Sequence, residues 1–285
     1  MERLAGEIGE RNVFRPEALA AAAAYIEEVW GGQGYAVERQ TYPVRGVQSA
    51  NLEVTRRGLR EPEAMVLLGA HYDSVRGGPG ANDNASGVAA LLEMTRMLAA
   101  AEPALTVRAV AFVNEEPPFF FWEEQGSLGY AKAARARGDA IRLMLSLETL
   151  GCYHDTPGSQ RYPPLLRWFY PSRANFIAFV SNLRSRRMLA RWTAAFRAVS
   201  DFPAESAALP AIVPGVAWSD HLSFWRQGYR ALMVTDTAFY RSPWYHTAGD
   251  TPEKIDYDRL AKLTAGLFRA VLHLGRELAG DRARP

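Results

Sequence analysis

Residues 64–70 read Ala-Met-Val-Leu-Leu-Gly-Ala, a short run with no polar side chain. An uninterrupted apolar run of this length is the pattern of a strand buried on both faces, as in a parallel sheet covered by helices. Residues 106–113, 143–147, 175–180 and 230–235 read as further strands. Helical spacing of apolar residues marks 87–101, 129–137, 185–200 and a long closing helix over 257–278. An earlier helix over 16–30 opens on Pro16 and is ended by Gly31 and Gly32. Strands alternating with helices predict an α/β fold, a three-layer sandwich with a mostly parallel (mixed) central sheet. Residues 35–44 and 50–55 have alternating β character and predict a hairpin through Arg45 and Gly46. No linker-like stretch or internal repeat divides the chain, so 1–285 is expected to be one catalytic domain. The least regular stretch, 151–174, is rich in Pro, Tyr and Trp, and so long a loop is usually functional or disordered. Its aromatic content argues against disorder.

Apolar residues make up 48% of the chain and charged ones 22%, close to the globular average. This excludes a disordered chain, a collagen and a coiled coil. The formal net charge is +2, and the densest basic cluster is only Arg184, Arg186 and Arg187. A nucleic-acid partner would need a continuous basic stripe, so none is expected. No run of 18 uncharged apolar residues exists, so no membrane span is expected. Cys152 is the only cysteine, which rules out an intrachain disulfide framework. The first residues lack the apolar core of a signal peptide. The expectation is a soluble, cytoplasmic protein.

Open α/β sheets bind ligands beyond the carboxyl ends of their strands. The expected ends carry His71 and Asp73, then Asp83 in an Asn-Asp-Asn turn. The pairs Glu115-Glu116 and Glu123-Glu124 follow, then Glu148, Asp220-His221, Tyr245-His246 and Asp250. Three of the five histidines fall in this set. Imidazoles and carboxylates without a thiolate suit a divalent ion in a nitrogen/oxygen site, zinc first. Two ions need about seven or eight ligand atoms and a carboxylate able to bridge them. His71, Asp83, Glu124, Glu148 and His246 supply such a set, and two divalent ions offset the repulsion among converging carboxylates.

In order along the chain stand GAHYDSV, GANDNASG, WEEQGSLGY, SLETLG, SDH and YHTAGDT. Together they resemble the two-zinc exopeptidase family of bacterial aminopeptidases, which is related to glutamate carboxypeptidase II and the glutaminyl cyclases. The resemblance covers residues 64–275. It implies that His71 and Glu148 hold one zinc, that Glu124 and His246 hold the other, and that Asp83 bridges both. Glu123 would be the general base, and Asp73 would orient the His71 imidazole from behind. Asp220 and His221 would support the ligands or face the substrate, with Asp220 alternatively capping a short helix. Tyr245 would donate a hydrogen bond to the tetrahedral oxyanion. The implied activity is removal of N-terminal residues from a peptide substrate by a metal-activated water.

The sequence departs from the family pattern in two places. The third-strand ligand is often Asp and is Glu148 here. The acidic pair is also duplicated around residues 117–122, Pro-Pro-Phe-Phe-Phe-Trp. Only Glu123-Glu124 is followed at once by the motif's Gly126 and Ser127, so it is expected to be the catalytic pair. Pro117 and Pro118 force an extended exit from the first pair, and extended neighbours point their side chains apart. Glu115 and Glu116 are therefore expected to bind the substrate amine or to support the site. Three other functions stay open: a glutaminyl cyclase-like aminoacyltransferase, a carboxypeptidase, and an inactive binding homologue that would be expected to have lost ligands. His154 and His273 are expected to be ordinary structural residues, and Cys152 a buried inert thiol. The aromatics of 119–122 and of 162–170 either pack their loops or wall a substrate pocket.

Overall fold

The computed structural model describes residues 1–280. Its centre is one eight-stranded sheet in the order β1-β2-β4-β3-β5-β8-β6-β7. The strands are β1 (Glu38–Val44), β2 (Val47–Arg56), β3 (Glu61–His71), β4 (Leu105–Phe112), β5 (Ala140–Glu148), β6 (Ile177–Ser181), β7 (Ala204–Ala208) and β8 (Ala231–Thr235). Four of the seven pairings are parallel (β3/β4, β3/β5, β5/β8 and β6/β7), so the sheet is mixed as expected. Arg45 and Gly46, at φ 50° and 80°, close the β1–β2 hairpin. Two consecutive left-handed residues give the turn whose twist matches paired strands.

Alternation along β3 explains its unbroken apolar run. Val66 and Leu68 face one core, with Leu19 of α1 (Pro16–Gly32), Leu91 of α2 (Gly87–Ala99), Trp192 of α4 (Arg186–Val199) and Leu263 of α6 (Tyr257–Gly280). Met65 and Leu67 face a second core, with Tyr130 of α3 (Gly126–Arg137) and Phe224 of α5 (His221–Arg226). A side-chain period of two puts successive residues in opposite layers, so both faces must be apolar. Among the described residues, no helix is long and apolar enough to cross a membrane.

The topology also fixes where chemistry can occur. From β3 the chain crosses through α2 to β4 on one side, then through α3 to β5 on the other. The two crossovers lie in different helical layers, so a crevice opens beyond the carboxyl end of β3. His71 is the last residue of β3 and Glu148 the last of β5.

Candidate metal centre

Two groups of side chains converge in that crevice. One is His71, Asp83 and Glu148, and the other is Asp83, Glu116 and His246. His71 Nε2 lies 3.2 Å from Asp83 Oδ1 and 3.5 Å from Glu148 Oε2. His246 Nε2 lies 3.1 Å from Asp83 Oδ2 and 3.2 Å from Glu116 Oε2. Asp83 thus offers one oxygen to each group. His71 Nε2, Asp83 Oδ1 and Glu116 Oε1 are buried with no hydrogen-bond partner among the described residues. Burying polar atoms unpartnered is costly, and here they point at common centres, so the donor set fits divalent cations.

The surrounding hydrogen bonds hold these ligands in place. Asp73 lies 3.5 Å from His71 Nδ1, which leaves Nε2 for the centre. Its two oxygens also accept the backbone N–H groups of Glu115 and Glu116, at 3.2 and 3.1 Å. Asp250 accepts the N–H groups of Asn82 and Asp83, at 2.9 and 3.0 Å. Ser219 donates to Glu148 at 2.7 Å. Asp236, which no sequence pattern marked, accepts from Asn82 Nδ2 and from the Cys152 and Ala238 N–H groups.

Electrostatics follow from this crowding. Burial alone would lower the His71 imidazole, but Glu148 and Glu115 outweigh it and hold it well above its ordinary value. Burial would likewise lower His246, yet Asp83 and Glu116 push it up to about 10. Burial raises Glu115 well above the usual carboxylate range, and Glu148 and Asp220 add to this against the opposing pull of His71. Glu116 is raised to about 7, by burial and then by Asp83. Carboxylates and imidazoles that share protons in this way are poised to exchange them for cations.

The expected catalytic pair lies elsewhere. Glu123 and Glu124 stand on an exposed turn, where Glu123 pairs with Lys132 of α3. Glu115 and Glu116, expected to bind the substrate amine, occupy the crevice instead. The physical reason is the placement of the motif's two halves. Its acidic half leaves β4, and its Gly-Ser half opens α3. Residues between them form a surface excursion whose ends meet where Gly126 N–H bonds the Val113 carbonyl at 2.9 Å. A Cβ at Gly126 would lie 2.3 Å from that oxygen, so only glycine allows the closure. The exit is not the extended one expected: a turn follows, closed where the Phe119 N–H bonds the Glu116 carbonyl at 3.0 Å, and the two side chains still reach different imidazoles. Glu115 Oε2 lies 3.9 Å from His71 Nε2, while Glu116 lies beside His246.

Asp220 is fully buried behind the centre and precedes α5 without a side-chain capping bond. His221 is equally buried, but its Nε2 meets the Val216 carbonyl at 2.8 Å and its ring packs edge-on against Trp225. Burial lowers it to about 4, so it is a neutral packing residue apart from both ligand groups. Cys152 is buried and its thiol is pushed up to about 12, first by burial. Tyr245 stacks on the His246 ring at 3.9 Å. It and Glu148 also line an open, mostly apolar cavity, walled by Phe176, Met233 and Phe239 and by Tyr162, Leu166 and Tyr170 of the irregular stretch. Trp168 and Phe169 of that stretch are exposed, as are Phe121 and Trp122, while Phe119 is buried in the core.

The model of peptidase family M28 matches residues 51–271. The chain belongs to peptidase family M28. It is 37% identical to the uncharacterized protein YfbL of Escherichia coli K12, over 90% of this chain and 81% of that one. Its fold is similar to that of LapB from Legionella pneumophila, with a TM-score of 0.70 and 19% identity over 93% of this chain and 67% of LapB. It is also similar in fold to a Zn-dependent exopeptidase from Parabacteroides distasonis, at a TM-score of 0.66 and 18% identity over 95% of both chains. BSAP, a zinc aminopeptidase from Bacillus subtilis, aligns at a TM-score of 0.59 and 24% identity over 80% of this M28 chain, which spans about half of BSAP.

Proposed function

We propose that this M28 protein is an aminopeptidase that holds two zinc ions and removes bulky apolar residues from the N-terminus of peptides. The observation that carries this reading is Asp83, whose two oxygens lie against different imidazoles in two complete ligand groups. His71, Glu148 and Asp83 would hold one ion, and Asp83, Glu116 and His246 the other. Ions bound there would supply Lewis-acid polarisation of the scissile carbonyl and lower the pKa of water.

The remaining chemistry belongs to side chains. Glu115 would accept the proton of the attacking water and deliver it to the leaving amine. Its place in the crevice, buried and 3.9 Å from His71 Nε2, supports that role. Burial, then Asp83 and Glu116, raise the Tyr245 phenol far above its ordinary value, so it stays protonated and able to donate to the developing oxyanion. The cavity beside Glu148 and Tyr245 would receive the side chain of the residue removed, and its apolar walls favour a large aliphatic or aromatic group.

Glu148 on the cavity lining, with Asp83 beside the same imidazole, favours a substrate α-ammonium over a carboxylate. Arg161, the guanidinium on the cavity wall, is exposed and donates to the Phe239 carbonyl, which weakens the carboxypeptidase reading. Two complete ligand groups favour hydrolysis over the one-zinc chemistry of a glutaminyl cyclase-like enzyme.

The test is zinc content of dialysed protein together with a panel of aminoacyl-naphthylamides and N-blocked peptides. The expected result is two zinc ions per chain, preference for Leu and Phe over Ala and Glu, and no activity on blocked N-termini. One zinc with full activity, or cleavage only from the carboxyl end, would overturn it.

A further inference from the structure

Arg11 is fully buried and lies outside the region matched by the family model. A buried arginine ordinarily pairs with a carboxylate, because burying an uncompensated charge is costly. Here, among the described residues, every hydrogen-bond partner of the guanidinium is a backbone carbonyl. Nε donates to Tyr72 O at 2.7 Å, and Nη2 to Gly80 O at 2.9 Å. Nη1 donates to Pro79 O, to Gly9 O at 3.1 Å and to Leu4 O at 3.5 Å. Tyr72 stands between His71 and Asp73, while Pro79 and Gly80 lead into Asp83.

The backbone of Arg11 completes the attachment. Its N–H donates to Ser74 Oγ at 3.1 Å, and its carbonyl accepts from the Ser74 N–H at 3.0 Å. Gly80 is where the second loop folds back on itself, at φ 59°, and a Cβ there would lie 2.2 Å from the Asp83 carbonyl oxygen. A shift at Gly80 is therefore transmitted to Asp83. We infer that Arg11 is a positioning residue for the metal centre, its planar fork clamping the loop of His71 and Asp73 to the loop of Asp83. This rests on the reading of those residues as metal ligands. The guanidinium also places a fixed positive charge under the carboxylates: burial lowers its pKa to about 10, and Asp73, Asp250, Asp83 and Glu116 oppose the fall. Lysine could supply the charge but not the planar fork that reaches both loops.

The test compares Arg11→Lys with Asn12→Ala. Asn12 also ties the N-terminal segment to Ser74, through the Ser74 carbonyl at 3.1 Å, but its side chain has no bond to the second loop. Zinc affinity is read by competition with a chromophoric chelator, the geometry by the visible spectrum of the cobalt-substituted protein, and folding by thermal melting. Arg11→Lys should melt cooperatively, bind zinc roughly 10- to 100-fold more weakly, as expected when the support of ligands is lost, and alter the cobalt spectrum. Asn12→Ala should keep wild-type zinc affinity even if its melting temperature falls. A folded Arg11→Lys with wild-type affinity and spectrum overturns the inference, as does equal loss of affinity in both variants. Should Arg11→Lys fail to fold, hydrogen exchange on the wild-type protein decides: zinc should slow exchange at residues 9–12, and unchanged exchange there overturns the clamp. Wild-type protein that binds no zinc at all would instead refute the metal reading.

Discussion

Two Glu-Glu pairs stand eight residues apart, at either end of one surface excursion. Glu115 and Glu116 are 7% and 2% exposed, and both backbone N–H groups are held by Asp73. Glu123 and Glu124 are exposed, and the first pairs with a surface lysine. The dipeptides are identical, so nothing intrinsic to them sets the difference. Position relative to the sheet does. The first pair is reached directly from β4, whose parallel register with β3 sets Phe112 against His71. The second is reached only after the chain has left the sheet and before it returns at Gly126. A carboxylate becomes reactive when the fold takes it out of water beside other charges, and only the first pair is so placed.

The largest expected effect breaks the comparison most directly. Glu115→Gln should retain both metals and lower kcat by roughly 10³- to 10⁴-fold, the upper range for losing a general base, because an amide of the same size cannot accept the proton. Glu123→Gln should leave kcat within about twofold, as is usual for an exposed side chain away from the site. Steady-state kinetics with metal analysis check both. A large loss at Glu123 with little at Glu115 would return the catalytic role to the second pair.

Metal stoichiometry gives the next contrast. Glu116→Gln should lower the zinc content from two per chain toward one, since a neutral amide oxygen is a poorer ligand than a carboxylate. Glu124→Gln should bind as the wild type does. Tyr245→Phe, beside His246, then serves as a reference. It should keep both metals and lower kcat by about 10²-fold, the scale for one oxyanion donor. An unchanged kcat would make Tyr245 a packing partner of His246 and Phe239 only.

The contrast also explains what could be read from the sequence. The buried strands were legible because both faces of β3 and β4 are apolar, and the hairpin because Arg45 and Gly46 suit a two-residue turn. Strand β7 was not, because Ala-Glu-Ser-Ala-Ala on a half-exposed edge carries no β-branched or aromatic residue. His71, Asp83, Glu148 and His246 could be proposed as ligands because each stands at a strand end or in a marked turn. Adjacency to Gly126-Ser127 favours Glu123-Glu124 in the sequence, whereas adjacency to the strand puts Glu116 in a candidate ligand group and leaves Glu123-Glu124 exposed. An insertion separates a motif's halves without moving either when the excursion closes on itself, as it does here where Gly126 meets Val113. Arg11 and Asp236 had no local signal: the partners that tie them to the site lie 61 to 69 and 84 to 154 positions away.

The smallest expected effect is in the pH dependence of the metal-free protein. Glu116 is raised to about 7 and His246 to about 10 in the folded chain. Their unfolded values are about 4.3 and 6.5, so both bind protons more tightly when folded. The stability they contribute is therefore full below the unfolded values and is lost as pH rises through the folded ones. Asp220 and Asp250, raised to about 7 and 6 mainly by burial, act in the same direction. Asp83 is shifted the opposite way, below its ordinary value, so its contribution is already complete at pH 5. In excess chelator the melting temperature should fall from pH 5 to pH 9. Zinc should stabilise more as pH rises, because fewer protons compete for the ligands. Glu116→Gln should flatten the part of the fall between pH 5 and 7, because a neutral amide has no proton to lose there. Glu124→Gln, exposed on the turn, should leave the whole profile unchanged. Thermal melts at pH 5, 7 and 9 read the difference. Identical profiles for the two variants would mean that burial beside Asp83 and His246 does not set the Glu116 protonation state, and the contrast between the pairs would rest on geometry alone.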